Sequence, residues 1–258
     1  MDYEVFYQEY SAIEKQLKDC CGLCAKLQKS IAKKMDCGDL KSAMIDMNAL
    51  SEASKKLQET AQEAAQFASS FDAKGYFSLG DYATQMLDYC NEDGINAISD
   101  PPNFQIFPYK VRIDSDNLDV YIDKKKYSCF RPKCFVRIIE SGLAKLDGSK
   151  FDAALYASEL KAVYDVALLK EKDARPGSEV ALMAIYKLLV PLRRFRKDYD
   201  MQAFAFDLAR LYNESSEVNE NSPFTISLGP GRKAWKLIRI LDSDGNERFL
   251  GGISFSDK

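Results

Sequence analysis

The sequence predicts an α+β protein, and three observations predict it. Two apolar repeats with alternating steps of three and four fill the first 73 residues. After residue 100 the apolar period changes to two. Helical and strand-like segments then follow one another to residue 258. With 46% hydrophobic and 29% charged residues over 258 positions, the chain has the composition and length of an ordinary packed protein.

The first repeat runs Phe6, Tyr10, Ile13, Leu17, Cys20, Cys24, Leu27, Ile31, a heptad seam of more than three turns of the repeat. "KKMDCGDL" ends it: lysines sit in the last turn, Gly38 suits the reversal and Asp39 can cap the next helix. A second seam reads Leu40, Ala43, Met47, Leu50, Ser54, Leu57, Ala61, Ala64, Ala68, Phe71. The pattern predicts an antiparallel helical hairpin over 3–35 and 39–73, each arm about 50 Å long. Its alanine-rich second arm would admit another helix closely, and Leu57, Ala61, Ala64 and Ala68 are the expected contacts with a protein partner or a second copy.

"KDCCGLCAKLQ" carries a CxxC spacing, Cys21 to Cys24. Cys20 and Cys24 fall on the seam, where free cysteine packs as a small hydrophobe. The returning arm offers no ligand near Leu50 and Ser54, so a zinc site cannot close inside one hairpin. An intermolecular metal site or disulfide, or a redox role, are the alternatives to core packing. Cys21 lies off the seam and is the candidate exposed thiol.

Residues 78–91 read as a short third helix, and "DGINAISDPPNF" as a linker broken by Gly94 and Pro101-Pro102. The expected boundary separates a helical domain, 1–99, from an α+β domain, 100–258. "FQIFPYKVRID" and "NLDVYIDKKKYSCF" alternate as a small antiparallel sheet, with Tyr109, Val111 and Ile113 on one face and Leu118, Val120 and Ile122 on another. Helices are expected from Pro132, over about 150–172, from Ser178 as N-cap, and over 201–213. The tail reads as strands, with "DSDGN" turning a hairpin between "KLIRIL" and "ERFLGGISF". Helix, turn, helix, then hairpin is a winged-helix-like order at the C-terminal end.

The chain contains no histidine, which removes the usual neutral-pH base and the commonest metal ligand. Histidine-dependent nucleophilic catalysis is excluded within it, and no phosphate-loop, dinucleotide or nucleophile-elbow motif occurs. A net charge of −3 argues against general polyanion binding. Seven cysteines, with no apolar run of membrane-spanning length and an acidic, aromatic start unlike a signal peptide, point to a reduced cytoplasmic protein without a membrane anchor. No cofactor is expected.

Three local basic clusters stand out as candidate contacts to a nucleic-acid backbone: Lys124, Lys125, Lys126 and Arg131; Arg193, Arg194, Arg196 and Lys197; and Arg232, Lys233 and Lys236 beside Trp235. "GPGRKAW" would offer backbone amides to a phosphate. The expected role is a non-enzymatic accessory or adaptor subunit of a multiprotein assembly. Accessory subunits of bacterial DNA-processing and antiviral defence assemblies are often built this way, an analogy of architecture. Two alternatives remain. One is a winged-helix DNA-binding regulator, whose reading helix would present Gln202, Asp207 and Arg210. The other is a metal-dependent nuclease on the D-x-K of Asp123 and Lys125, with Asp119.

Overall fold

The computed structural model describes residues 2–148, 150–170, 175–232 and 236–258, without the side chains of Arg193 and Arg196. The fold is α+β, with a long N-terminal helical pair and small antiparallel sheets. Among the described residues no helix is long and apolar enough to cross a membrane. The chain divides into two compact units. The first comprises Met1–Tyr89, Ile113–Asp119 and Ser128–Phe135, and the second holds the remainder.

In the first unit, α1 (Tyr3–Asp36) and α2 (Leu40–Ser69) form the hairpin. Asp2 caps α1 by accepting from the Glu4 N–H, and Asp39 caps α2 by accepting from the Ser42 N–H at 3.1 Å, as its sequence position predicts. Gly38 turns the chain at φ +76, where a Cβ would be strained. The seam of α1 is the predicted one, from Phe6 through Cys20 to Ile31.

The seam of α2 differs from expectation at alternate positions. Ala43, Leu50, Leu57, Ala64 and Phe71 face inward as predicted, but the intervening places are taken by Asp46, Ala53, Thr60 and Phe67. Met47, Ser54, Ala61 and Ala68 are exposed. The reason is polar and steric. The Asp46 carboxylate accepts from Ser30 Oγ and Lys34 Nζ of α1, both at 2.6 Å. At the other end Phe67 stacks on Phe6 at 4.7 Å. These contacts fix a rotation of α2 that its hydrophobicity alone does not select.

The open end of the hairpin is an aromatic cluster. Tyr3 and Tyr76 each meet Phe71 edge to face, Phe6 packs tilted against Phe71, and Phe77 stacks on Tyr82 at 4.7 Å. The predicted third helix, 78–91, is α4 (Asp81–Glu92), and an unpredicted short helix, α3 (Ala73–Ser78), precedes it across Gly80 with φ +85. Arg131 ties the 128–135 segment to α1: its Nε and Nη2 each donate to Glu4 at 2.7 Å, and its guanidinium lies 3.8 Å from the Tyr7 ring centroid. The hydrogen bonds it donates to Glu4 hold the Arg131 pKa above its usual value.

The expected linker is a β-hairpin. β1 (Ile98–Asp100) pairs with β2 (Asn103–Ile106), and the proline pair forms its turn. Proline excludes regular structure from two positions, not from the strands either side. β3 (Tyr109–Asp114), β4 (Asp119–Ile122) and β5 (Lys125–Tyr127) complete a five-stranded sheet in sequential order. Val111, Ile113, Val120 and Ile122 are buried as the period-two reading expects, but Tyr109 is only half-buried, Leu118 lies in the turn before β4 with φ +56, and Asp119 is buried beside Val120.

α5 (Pro132–Asp147) has its first turn in the first unit and the rest in the second, where α6 (Ala153–Leu168) precedes a short strand, β6 (Val180–Ala181). Ser178 is not the predicted N-cap. It accepts from the Arg175 N–H within a turn, and α7 (Leu182–Leu189) starts after Ala181. Pro191 ends α7 early by disfavouring helical backbone at Val190. A 3-10 turn, Arg193–Lys197, leads to α8 (Met201–Asn221), which runs two turns past its predicted end. β7 (Phe224–Gly229), β8 (Ile238–Leu241), β9 (Glu247–Leu250) and β10 (Gly252–Asp257) follow. β8 and β9 form the predicted hairpin, and the Asp242 carboxylate accepts from the N–H groups of Asp244 and Asn246 in its turn. The last sheet has the order β6-β10-β7, so β10 lies between a strand some 70 positions earlier and the strand that precedes the β8–β9 hairpin. Leu160, Ile185, Phe204, Leu208 and Ile253 are among the core residues beneath it.

Candidate interaction surfaces

The hairpin has two unlike flanks. With the seam written as positions a and d, the e positions of an antiparallel pair flank one side and the g positions the other. On the e side, α2 presents Leu40, Met44, Met47, Ser51, Ser54 and Gln58, then Ala61, Ala65 and Ala68, all exposed. The same side of α1 presents Cys21, Ala25, Gln28, Ala32 and Met35, also exposed. No charged residue lies among these positions; nearer its N-terminus the same side of α1 carries the exposed Glu14 and Lys18. The g side carries Asp19, Lys26, Lys33, Glu52, Lys56 and Glu59, with Leu23 and Ile45 as its apolar members. Leu40, Met44 and Met47 are 59%, 64% and 43% exposed, unusual for large apolar side chains clustered on one stripe.

Of the four predicted partner contacts, Leu57 and Ala64 lie in the hairpin's own seam, while Ala61 and Ala68 lie on the uncharged flank. The flank's larger residues, Met35, Leu40 and Met44, were not predicted as contacts. The signal was present in the sequence as a second uncharged heptad stripe, but it is readable only once the seam's rotation is known. Cys20 is buried in the seam and Cys24 half-buried, while Cys21 and Cys37 are exposed free thiols.

The basic residues fare unequally. Lys124, Lys125 and Lys126 are exposed on the β4–β5 hairpin, and the Lys125 ammonium lies 4.8 Å from the Tyr127 ring centroid. Arg131 is engaged by Glu4 and Tyr7, as above. Arg194, Lys197, Arg232 and Lys236 are exposed, with Arg194 stacked 4.9 Å over Phe195. Lys233 and Trp235, and the side chains of Arg193 and Arg196, lie outside the described residues. In the "GPGR" loop, the Arg232 N–H donates to Glu179 Oε1 at 2.7 Å. The chain's own carboxylate thus holds an amide that a phosphate would need.

Gln202, Phe206 and Arg210 share one face of α8 at i, i+4 and i+8. That face is covered within its own unit. The Gln202 side chain bonds to Asp123, and Phe206 stacks on Phe107 at 6.2 Å. Arg210 Nη2 donates to the Asp147 carboxylate at 2.9 Å and backbone carbonyl at 3.1 Å. Asp207, on the adjacent face, accepts from Tyr199 Oη at 2.9 Å, and Tyr156 Oη lies 3.0 Å from Tyr199 Oη. This chain of hydroxyls borders a cavity of about 380 Å³ between α6 and the 3-10 turn. Burial pushes the pKa of Asp207 up, and the bond from Tyr199 and the charge of Arg210 oppose that shift.

No family model, curated protein or solved structure matches this chain. The chemistry of its surface is the guide to its role.

The D-x-K residues occupy structural positions. Asp123 adopts φ +55 in the β4–β5 turn, and its carboxylate accepts from the Lys110 N–H at 3.2 Å. Burial raises its pKa. Asp119 is buried and accepts from Ser128 Oγ at 3.1 Å. Among the described residues, no group of three or more Cys, Asp or Glu side chains is gathered as a metal site would need.

Proposed function

We propose that the chain is a non-enzymatic subunit of a multiprotein assembly, of the DNA-processing or defence type by architecture alone, and that the helical hairpin is its protein-docking element. The observation that carries this reading is the uncharged flank of α2. Nine exposed positions of α2 from Leu40 to Ala68 without one charge, beside a flank rich in charge, are the pattern of a helix awaiting a neighbour.

We further infer that residues 153–257 form a winged-helix unit. Supporting this is the succession α6, β6, α7, α8, β7, the β8–β9 hairpin and β10, together with the sheet order β6-β10-β7. In this reading β8–β9 is the wing. The unit serves as a structural or protein-facing module rather than a sequence reader, because Gln202 and Arg210 are already engaged. Backbone contact to nucleic acid would fall to Lys124–Lys126, Arg194, Lys197, Arg232 and Lys236.

The test is affinity capture of the tagged full chain from its host, with nuclease treatment, comparing the wild type with Ala61→Glu. A stoichiometric protein that survives nuclease and is lost from the variant supports the proposal. Identical captured proteins with both chains would refute it.

A further inference from the structure

The hairpin's exposed flank is graded in size along α2. Large side chains, Leu40, Met44 and Met47, stand at the turn end, and Ala61, Ala65 and Ala68 stand at the other. Ser54 lies midway. Turning a second α2 antiparallel about Ser54 sets Leu40 opposite Ala68, Met44 opposite Ala65 and Met47 opposite Ala61. Each large side chain then meets a small one, the condition for close interdigitation.

Charge agrees with this arrangement. A two-fold axis brings each residue near its own counterpart, so a charged flank would set like against like. The α2 stripe has no charge to repel, and the charges on this side, Glu14 and Lys18, stand on α1 outside it. The stripe also has none with which to select an acidic or basic partner.

The area suffices. From Leu40 to Ala68 the stripe is about 42 Å long at ~1.5 Å per residue, and a helix is roughly 10 Å across. α1 widens the face along the half that ends at Met35. The flat area is roughly 600 Å² per copy, or about 1,200 Å² in total, at the lower bound of stable interfaces.

Resting on the docking role of the hairpin, we propose that its occupant is a second copy of this chain, with the two α2 helices antiparallel across a two-fold axis near Ser54. Light scattering on the purified full chain under reducing conditions is the test. At about 50 μM the wild type should show twice the chain mass of 29.1 kDa. Met47→Glu and Ala61→Glu, each folded by circular dichroism, should show the single mass. In a Cys21→Ser, Cys37→Ser background, Ser54→Cys should oxidise to a covalent dimer, whereas Lys56→Cys on the charged flank should not. A monomeric wild type at this concentration, or a dimer unchanged by both glutamates, overturns the proposal. If a monomeric wild type captures a host protein that Met47→Glu loses, docking on this flank stands and only the second copy fails. If capture is unchanged as well, both fail.

Discussion

Replacing Tyr199 with phenylalanine removes the middle of the hydroxyl chain in the second unit. Tyr199 donates to Asp207 at 2.9 Å and lies 3.0 Å from the Tyr156 hydroxyl. A hydrogen bond to a charged acceptor contributes roughly 1.5–3 kcal/mol, and a buried hydroxyl left without its partner costs roughly 1–3 kcal/mol. Removing the Tyr199 hydroxyl also removes its own desolvation, so the net loss should be about 2–4 kcal/mol. The loss depends on pH, and its sign follows from Asp207. Burial raises the folded pKa of Asp207 above the ordinary 3.8, so the native state holds that proton longer than the unfolded chain. Stability therefore declines as pH rises from 3.8 through the folded value. The Tyr199 bond limits that decline by stabilising the carboxylate, and the variant lacks it. Urea unfolding should show the full deficit at pH 7 and a smaller one at pH 3.5, where the carboxyl is largely neutral in both states. An equal deficit at both values, or one below about 0.5 kcal/mol at pH 7, would refute this account of the network.

Arg131→Ala should destabilise the first unit by about 1.5–3 kcal/mol, seen as earlier loss of helical circular dichroism, because it leaves Glu4 half-buried without its bidentate partner. Tyr82 is fully buried, and its hydroxyl has no hydrogen-bond partner among the described residues. Tyr82→Phe should be neutral or stabilising by up to about 1 kcal/mol in chemical denaturation, and a loss above that would reveal a missed partner. At Gly231, with φ +73, an added Cβ would lie 2.8 Å from the Gly252 backbone nitrogen. Gly231→Ala should therefore cost at least ~1 kcal/mol, and an unchanged midpoint would contradict the described loop.

Much of the fold was legible because local chemistry encodes it. The seam of α1, the Asp39 cap, the Pro132 helix start and the β8–β9 turn each follow from residues within one or two turns of chain. The misread features depend on distant partners. Asp46 occupies the α2 seam because Ser30 and Lys34 reach it from α1, and no window on α2 contains that fact. β6 is two residues long and exists because β10, some 70 positions later, supplies its ladder. The basic clusters were visible as charges, but their engagement was not. Arg131 pairs with Glu4 across 127 positions. The uncharged flank sits between these cases: its residues are plain in the sequence, and its significance follows from the rotation that Asp46 and Phe67 impose.

The central claim is that the uncharged flank of the hairpin, and not the charged one, touches protein. A photo-reactive amino acid placed at Met47, and separately at Lys56, in the full chain within its host tests this most directly. The account predicts a discrete protein adduct, identifiable by mass spectrometry, from position 47 and none from position 56. Adducts from position 56 alone, or from neither, would contradict it.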